Sequence, residues 1–295
     1  MNVYIVADVE GAAGVVFYES HPSNMSPMCY GVLMRNRRLL TEEVNAAAQG
    51  AAEAGADTIV VHDHHGAGYT ILPENLHPRL ELIHGRGQQM MDVIHPDLDA
   101  SVDALVLIGM HAKAGTVEGG TPHSLICVED GHGRRHELSE ATMSMAMAGD
   151  AGVPCVFIAG DRAVVNEALA LTPQMRSVAT KRHYRSQLAR TLSPAASRKL
   201  ITEGVRLAVE RRKHVPPLRI PGPCRVQIAD RNPQARWPKE PATGPTFTQA
   251  LIAALKTVPW YRPVEAIDDG WRFPDRMAPG PMPNDMWNNP WSVFP

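Results

Sequence analysis

Short apolar runs alternate with helical patterns through the first half of the chain. The runs are Val3 to Ala7, Thr58 to Val61, Ala104 to Ile108, Leu125 to Val128 and Pro154 to Ile158. Helical spacing occupies Leu39 to Ala54 and resumes near Ser139. Continuous apolar strands separated by helices are typical of a parallel sheet that is covered on both faces. We therefore predict an α/β fold with a mostly parallel central sheet flanked by helices, and an edge position for Leu125 to Val128.

The pattern changes after about Asp161, and we place a soft domain boundary between Asp161 and Thr180. Helical spacing is found at Arg162 to Leu171, Ser193 to Arg212 and Thr246 to Lys256, with one strand at Cys224 to Ile228. The predicted parts are a metal-binding α/β domain at residues 1–165, a smaller C-terminal α+β domain at 166–258 and an irregular tail at 259–295. The tail is rich in proline and tryptophan. It is too aromatic for a solvated linker, so we expect it to lie along the protein's own surface or a neighbouring subunit.

Composition narrows the possible partners of this chain. Its 295 residues are 44% hydrophobic and 20% charged, a balance that excludes wholesale disorder. The net charge of -2 argues against nucleic acid or an anionic membrane as the main partner. No segment has about 20 consecutive apolar residues and the start lacks a basic region, so we expect neither a membrane span nor a signal peptide. Four widely spaced cysteines without a CxxC motif are typical of reduced thiols in a cytoplasmic protein.

Metal-binding side chains follow three of the predicted strands. Asp8 and Glu10 come directly after the first, His65 after the second and His111 after the third. The carboxyl ends of parallel strands meet at one edge of a sheet, where ligands bind. Asp8 and Glu10 are two residues apart and so point to the same face, where a cation would relieve their repulsion. Taken alone, these two could instead cap a helix or contact water, but with His65 and His111 the pattern favours a metal site.

The ligand types indicate which metals would suit such a site. A mixed set of Asp, Glu and His without thiolate favours a site for Zn²⁺, or for Mn²⁺ and Co²⁺, over a structural zinc site of the cysteine type. A fifth ligand of this kind would be one more than a single tetrahedral ion needs, whereas a carboxylate that bridges two ions would allow all five to bind. Paired ions about 3.5–4 Å apart activate water and polarise carbonyl or phosphoryl groups.

Other motifs add little to this interpretation. His136 to Glu140 resembles the HExxH motif, but Glu140 stands where the second histidine should be, so a zincin helix is not supported. Glu140 begins a helix of small and methionine residues, where an acid could merely complement the helix dipole. The sequence has no GxSxG, P-loop or GxGxxG motif, which leaves serine-hydrolase and nucleotide-binding interpretations without support.

Seven segments, spread from the first residue to about Leu255, match one family in their order and intervals. They are Ala7 to Gly11, Val61 to His65, Leu107 to Ala114, Pro122 to Ser124, Ser139 to Glu140, Ile158 to Ala163 and Leu192 to Ala196. The set resembles the D-aminopeptidases of the DppA type, which are self-compartmentalising zinc peptidases. A single Asp-x-Glu-Gly motif has little specificity, whereas several ordered segments at family-like intervals are specific.

The resemblance implies roles for individual residues. It implies two zinc ions per subunit bridged by Asp8, with Glu10 and His65 on one ion and His111 and Glu140 on the other. His123 matches the family's catalytic histidine, which would act as nucleophile or as acid and base beside the metals. His62 and His64 are not at the ligand position, and they either support the ligands or lie on the surface. The resemblance further implies short-peptide substrates and self-association into a ring, a homodecamer.

Three features depart from the family pattern. Val6 stands where the family has serine. Because valine cannot hydrogen-bond, we expect this change to remove a contact to a metal ligand rather than a ligand itself. The interval from His111 to His123 is one residue longer than usual, so Thr121 and Ser124 are close neighbours of the catalytic position. The tail after Pro259 has no counterpart in the family. These departures leave a preference for D- or for L-residues open.

The leading hypothesis is a zinc-dependent aminopeptidase that removes the N-terminal residue from short peptides or aminoacyl amides. The first alternative is a dimetal amidohydrolase or phosphoesterase acting on another small substrate, since a two-metal site also suits phosphoryl chemistry. Against a phosphate substrate, Lys113 is the only basic residue near the predicted ligands. The second alternative is a non-catalytic, metal-binding ring scaffold.

Overall fold

A computed structural model describes residues 1–16, 27–66, 68–85, 94–185, 188–229 and 240–257 of the protein. Its main sheet has the spatial order β3 (Leu80–Ile83), β2 (Thr58–Asp63), β1 (Asn2–Ala7), β4 (Ala104–Met110), β7 (Cys155–Asp161), β8 (Arg176–Arg185) and β9 (Leu188–Thr191). Neighbouring strands pair in parallel from β3 to β8, and β9 pairs with β8 in the antiparallel direction. The predicted α/β fold with a mostly parallel central sheet is therefore confirmed.

Helices cover both faces of this sheet. They are α1 (Pro27–Glu53), α2 (Glu140–Asp150), α3 (Arg162–Leu171) and α4 (Pro194–Glu210), whereas α5 (Phe247–Leu255) packs on a second, smaller sheet. Successive residues of β1 point to opposite faces: Ile5 joins the apolar core formed with α1 and α4, whereas Tyr4 and Val6 join the core formed with α2 and α3. Side-chain caps begin the helices that follow Ser139, Asp161, Ser193 and Thr246. No helix in the described part of the chain is long and apolar enough to cross a membrane.

The predicted position of one strand is wrong. Leu125 to Val128 do not form an edge strand of the main sheet. They lie in β5 (Leu125–Glu129), an inner strand of a separate antiparallel sheet ordered β11 (Ala242–Gly244), β10 (Cys224–Ala229), β5 and β6 (Arg135–Leu138). Burial alternates along β5 because only one of its faces packs against α2 and α5. All residues from Leu125 to Val128 are apolar, so the sequence does not show this alternation and resembles that of a fully buried strand.

The predicted division into domains is a separate question. Strands β7 and β8 lie on opposite sides of the predicted boundary and pair within one sheet. The division at about residue 165 stays a prediction, and the tail at 259–295 lies outside the described residues.

Candidate metal centre

Three neighbouring strands end at one edge of the main sheet and deliver the predicted ligands there. β1 lies between β2 and β4, and Ala7 is level with Asp63 on one side and with Ile108 on the other. The backbone ladder continues past the strand ends: Asp8 N donates to Ile108 O at 2.9 Å, and His64 N donates to Ala7 O at 3.0 Å. The residues that follow the three strands therefore start from one shared edge.

Asp8, Glu10 and His65 form a first group of potential ligands, which we name the β1 group. His65 Nδ1 lies 2.8 Å from Asp8 Oδ1 and 3.1 Å from Glu10 Oε2. Asp8 is 1% exposed and Glu10 5%. One potential ligand atom from each residue lies within 4.8 Å of the other two, a spacing that a single metal ion can span.

His111, His123 and Glu140 form a second group, which we name the α2 group because Glu140 is the first residue of α2. The Nε2 atoms of His111 and His123 lie 3.7 Å and 3.6 Å from Glu140 Oε1. The two imidazole rings stack with their centroids 3.9 Å apart. Asp8 connects the two groups, since its Oδ2 lies 3.4 Å from His111 Nε2. The structure thus brings all six predicted site residues together. The two carboxylate oxygens of Asp8 face His65 and His111, so Asp8 does not act as a helix cap.

Backbone carbonyls orient both imidazoles of the α2 group. His111 Nδ1 donates to Ala112 O at 2.8 Å, and His123 Nδ1 donates to Thr121 O at 2.9 Å. A carbonyl only accepts, so each ring carries a proton on Nδ1, and a neutral ring then has its lone pair on Nε2. This is the usual arrangement of metal-binding histidines, in which the second nitrogen is held by an acceptor.

Several buried atoms of the cluster are suited to a cation. Within the described residues, Asp8 Oδ2, both carboxylate oxygens of Glu10 and His111 Nε2 have no hydrogen-bond partner. Buried polar atoms are almost always paired, and an unpaired one costs about 1–3 kcal/mol. Zinc takes carboxylate oxygens and imidazole nitrogens of this kind, so the donor set fits that metal.

Electrostatics within the cluster lead to the same conclusion. Burial, together with the charge of Glu10, raises the pKa of Asp8 to about 7. Burial also disfavours the charged form of Glu10, but the adjacent His65 outweighs it and holds the pKa of Glu10 well below its usual range. One carboxylate of the buried pair therefore ionises much less readily than the other, and a divalent cation would remove that conflict.

Sequence reasoning missed the part that Ser124 plays. Its Oγ donates to Glu140 Oε1 at 2.5 Å. Its backbone φ of 57° is in the left-handed region, which is unusual for a residue other than glycine. Ser124 lies in one of the family-like segments, but no local pattern predicts its contact with a residue 16 positions away.

Lys181 is a second residue that sequence reasoning missed. This fully buried side chain of β8 donates to the backbone oxygens of Glu10 and Val15, and to that of Ala12 at 2.8 Å. Burial lowers the pKa of its ammonium to about 8. Lys181 thereby holds the loop that carries Glu10, and sequence reasoning missed it because β8 itself was not predicted.

His62 and His64 are also better defined in the structure. His62 is 1% exposed, so the surface interpretation is wrong for it. His64 Nδ1 lies 3.6 Å from Glu140 Oε2, which places this ring beside the α2 group. Val6, at the position of the family's serine, is fully buried in the apolar core with Tyr4 and Leu107.

The fold and the cluster define an α/β protein whose strand ends gather carboxylates and imidazoles around a candidate metal centre. A family model for D-aminopeptidase matches residues 1–237. A D-aminopeptidase of Bacillus subtilis (strain 168) is 30% identical over 247 residues, covering 80% of this chain and 84% of the relative. The chain belongs to the D-aminopeptidase family and is therefore a peptidase.

A solved structure supports the fold. The Zn-dependent D-aminopeptidase DppA from Bacillus subtilis, described as a self-compartmentalizing protease, is similar with a TM-score of 0.74 and 24% sequence identity. The similarity covers 87% of this chain and 96% of the DppA chain. The family model and the Bacillus subtilis relative thus confirm the family resemblance of the seven sequence segments, and the solved structure confirms the fold.

Proposed function

We propose that this protein is a zinc-dependent aminopeptidase that removes the N-terminal residue from short peptides or aminoacyl amides. The observation that carries the proposal is the position of Asp8 between the two ligand groups. Its Oδ1 faces His65 at 2.8 Å and its Oδ2 faces His111 at 3.4 Å. One carboxylate that reaches both groups is the arrangement that two bridged ions require.

The proposed ligands divide between two zinc ions. Asp8 would bridge them, with Glu10 and His65 on one ion and His111 and Glu140 on the other. Ions held there would polarise the scissile carbonyl and lower the pKa of a bound water towards ~7. Mn²⁺ and Co²⁺ suit the same donor atoms.

His123 is the proposed catalytic residue. Its Nε2 faces the cluster while Thr121 O holds its Nδ1 proton. Burial, together with the charge of His111, lowers the pKa of His123, so its ring is neutral near pH 7. A neutral imidazole can accept a proton at Nε2 and return it later, which is the role of an acid and base. Alternatively, its Nε2 can attack the scissile carbonyl as a nucleophile.

Replacing His123 with Ala tests this role. Hydrolysis of dipeptides should fall by about 10²–10⁴, the usual contribution of a positioned acid and base. Bound zinc, measured by mass spectrometry, should stay near two per subunit. The exposed His132 provides a matched control, since His132→Ala should change neither quantity. Undiminished turnover in His123→Ala would remove His123 from the mechanism.

The phosphoesterase alternative has less support. Lys113 Nζ pairs with Glu137 Oε2 at 2.9 Å, so the one basic residue that the sequence offered for a phosphate is already neutralised. Turnover of amino-acid para-nitroanilides but not of para-nitrophenyl phosphate is the expected result. The scaffold alternative predicts full zinc occupancy without turnover of any peptide.

We further propose that the chain assembles into a homodecameric ring and resides in the cytoplasm. The assembly is supported by the description of the similar DppA as self-compartmentalizing. Active sites that face an internal channel would restrict substrates to short peptides. A panel of D- and L-aminoacyl amides would determine the stereopreference, for which family membership favours the D-series.

A further inference from the structure

Three histidines behind the α2 group form a buried cluster that the proposed function does not use. They are His62, at 1% exposure, His95, at 3%, and the partly buried His64. The ring centroid of His64 lies 4.9 Å from that of His95 and 5.5 Å from that of His62. The three rings therefore pack against one another directly behind Glu140.

A chain of hydrogen bonds runs through two of these rings to helix α2. His62 Nδ1 lies 3.1 Å from His95 Nδ1, and His95 Nε2 lies 2.9 Å from Ser144 Oγ. Ser144 Oγ donates to Glu140 O at 2.8 Å. The chain thus ends on the backbone of Glu140, in the first turn of α2.

The partners determine the direction of each bond. The single hydroxyl proton of Ser144 goes to Glu140 O, so His95 Nε2 must donate to Ser144 Oγ. A neutral His95 then accepts at Nδ1, and His62 Nδ1 donates to it. Burial, with the nearby His64 and His62, holds the pKa of His95 well below its usual value, which agrees with a neutral ring. Every bond of this buried chain has a donor and an acceptor.

His64 contacts the same turn of α2 through the side chain of Glu140. Glu140 Oε1 faces His111 and His123 and accepts from Ser124 Oγ. Glu140 Oε2 instead faces His64 Nδ1 at 3.6 Å, within the range of an ion pair. A group that holds Oε2 sets the rotation of the carboxylate and therefore the direction of Oε1.

We propose that His64 is a positioning residue for Glu140, and that the His62–His95–Ser144 chain holds both His64 and the first turn of α2 in place. The proposal rests on the proposed function, because it concerns the orientation of a proposed zinc ligand. Groups that orient metal ligands in this way typically contribute 10–100-fold to metal affinity.

Zinc competition titrations of the full-length protein against a chromophoric chelator test the proposal. The wild-type protein should bind two zinc ions. His64→Phe keeps a ring on His95 but removes the nitrogen that faces Glu140, and it should weaken one ion about 10–100-fold while the other changes by less than about twofold. His64→Asn, whose amide nitrogen occupies the position of Nδ1, retains an N–H donor there and should recover most of that loss. His95→Phe, which keeps the ring but loses both hydrogen bonds, should weaken the same ion to a smaller extent.

The outcomes separate this inference from the proposed function. A wild-type protein that binds no zinc contradicts the proposed function. Two zinc ions in the wild type and unchanged affinities in His64→Phe overturn the positioning role alone. Complete loss of one ion in both His64→Phe and His64→Asn also overturns it, because His64 would then be a ligand. The exposed His132→Phe is the matched control.

A structural role for His64 would give a different result. Both zinc affinities would then fall together with the melting temperature of the metal-free protein. If His64→Phe does not fold, His64→Gln and His64→Asn provide the test, because they share an amide and differ by one methylene in reach. Positioning through Nδ1 predicts near-normal zinc affinity for His64→Asn and weakened affinity for His64→Gln, and equal affinities would overturn it.

Discussion

Asp8 and Glu10 place two carboxylates, 1% and 5% exposed, two residues apart at the end of one strand. Removing two like charges from water together is costly, and it is tolerated where a cation or a proton compensates them. The imidazole of His65 compensates part of this charge, and the oxygen atoms without hydrogen bonds point to a metal for the remainder. The chemistry of the site is therefore a consequence of which residues follow β1.

Zinc binding should be coupled to proton release. In the metal-free protein the pKa of Asp8 is raised to about 7. Burial disfavours the charged form of His111, but the carboxylates of Glu140 and Asp8 outweigh it and hold the pKa of His111 well above its usual range. Both groups must be deprotonated to bind a metal, so affinity should fall as pH decreases through the raised pKa of each group, about 7 for Asp8, by about tenfold per pH unit for each proton displaced.

Calorimetry in buffers with different ionisation enthalpies measures this coupling. The expected release at pH 7 is about one to two protons per subunit as zinc binds. A zinc affinity that is independent of pH between about 6 and 8, with no proton release, would contradict the assignment of Asp8 and His111 as ligands.

Ser124 combines a strained backbone with a contact to Glu140, and two variants separate these features. Ser124→Ala and Ser124→Gly both lose the hydroxyl that donates to Glu140 Oε1, so both should weaken zinc binding by about 10-fold or more. Only glycine accommodates the φ of 57° without strain. The glycine variant should therefore be about 1 kcal/mol more stable than the alanine variant.

Urea unfolding of the two metal-free Ser124 variants measures the difference in stability, and chelator competition measures zinc affinity. Equal stabilities would show that the left-handed backbone carries no strain. Wild-type zinc affinity in both variants would show that the hydroxyl does not orient Glu140.

At the scale of elements, the close approach of β1 and β4 places the proposed ligands. Gly109 has a φ of 73°, and a Cβ there would lie 1.8 Å from the backbone oxygen of Asp8. Gly11 N donates to Gly109 O at 2.7 Å, which extends the contact beyond the strand ends. The absence of side chains at these two glycines lets the loop after β1 lie directly against β4.

Gly109→Ala should disrupt this contact. Overpacking typically costs about 1–3 kcal/mol and a left-handed alanine about 1–2 kcal/mol more, so the metal-free protein should lose about 3 kcal/mol of unfolding free energy. Zinc affinity should fall as well, because Asp8 must move. Gly133 is the control: its φ is 75°, but among the described residues nothing beyond its chain neighbours would lie within 4 Å of a Cβ there. Gly133→Ala should cost only about 1–2 kcal/mol in urea unfolding and leave zinc binding intact.

At the scale of the whole molecule, we expect a symmetric ring of ten copies. Closed rings arise when identical subunits meet through heterologous contacts that return to the first subunit. Sedimentation velocity should show one species with the mass of a decamer, and dipeptides should be hydrolysed in preference to long unfolded chains. A monomer with undiminished dipeptidase activity would contradict the proposed assembly and leave the zinc site unaffected.

Much of the fold followed from local patterns. The strands β1, β2, β4 and β7 and the helices α3, α4 and α5 lie within a few residues of their predicted positions, because each buries a characteristic apolar pattern. The sheet to which β5 belongs did not follow, because a short apolar run does not specify its pairing partner. The predicted start of α1 at Leu39 was also late, since the helix begins at Pro27.

The sequence by itself determined the types of ligand, their place at strand ends and the family, because these depend on residue identity and local periodicity. Tertiary structure alone decided that Ser124 and His64 contact Glu140 from two sides, and it supplied the distances at which Asp8 faces both groups. It also decided the contact between Lys181 and Glu10, which are 171 residues apart. Such contacts depend on the path of the chain in space, and a local pattern of hydrophobic and polar residues does not record that path.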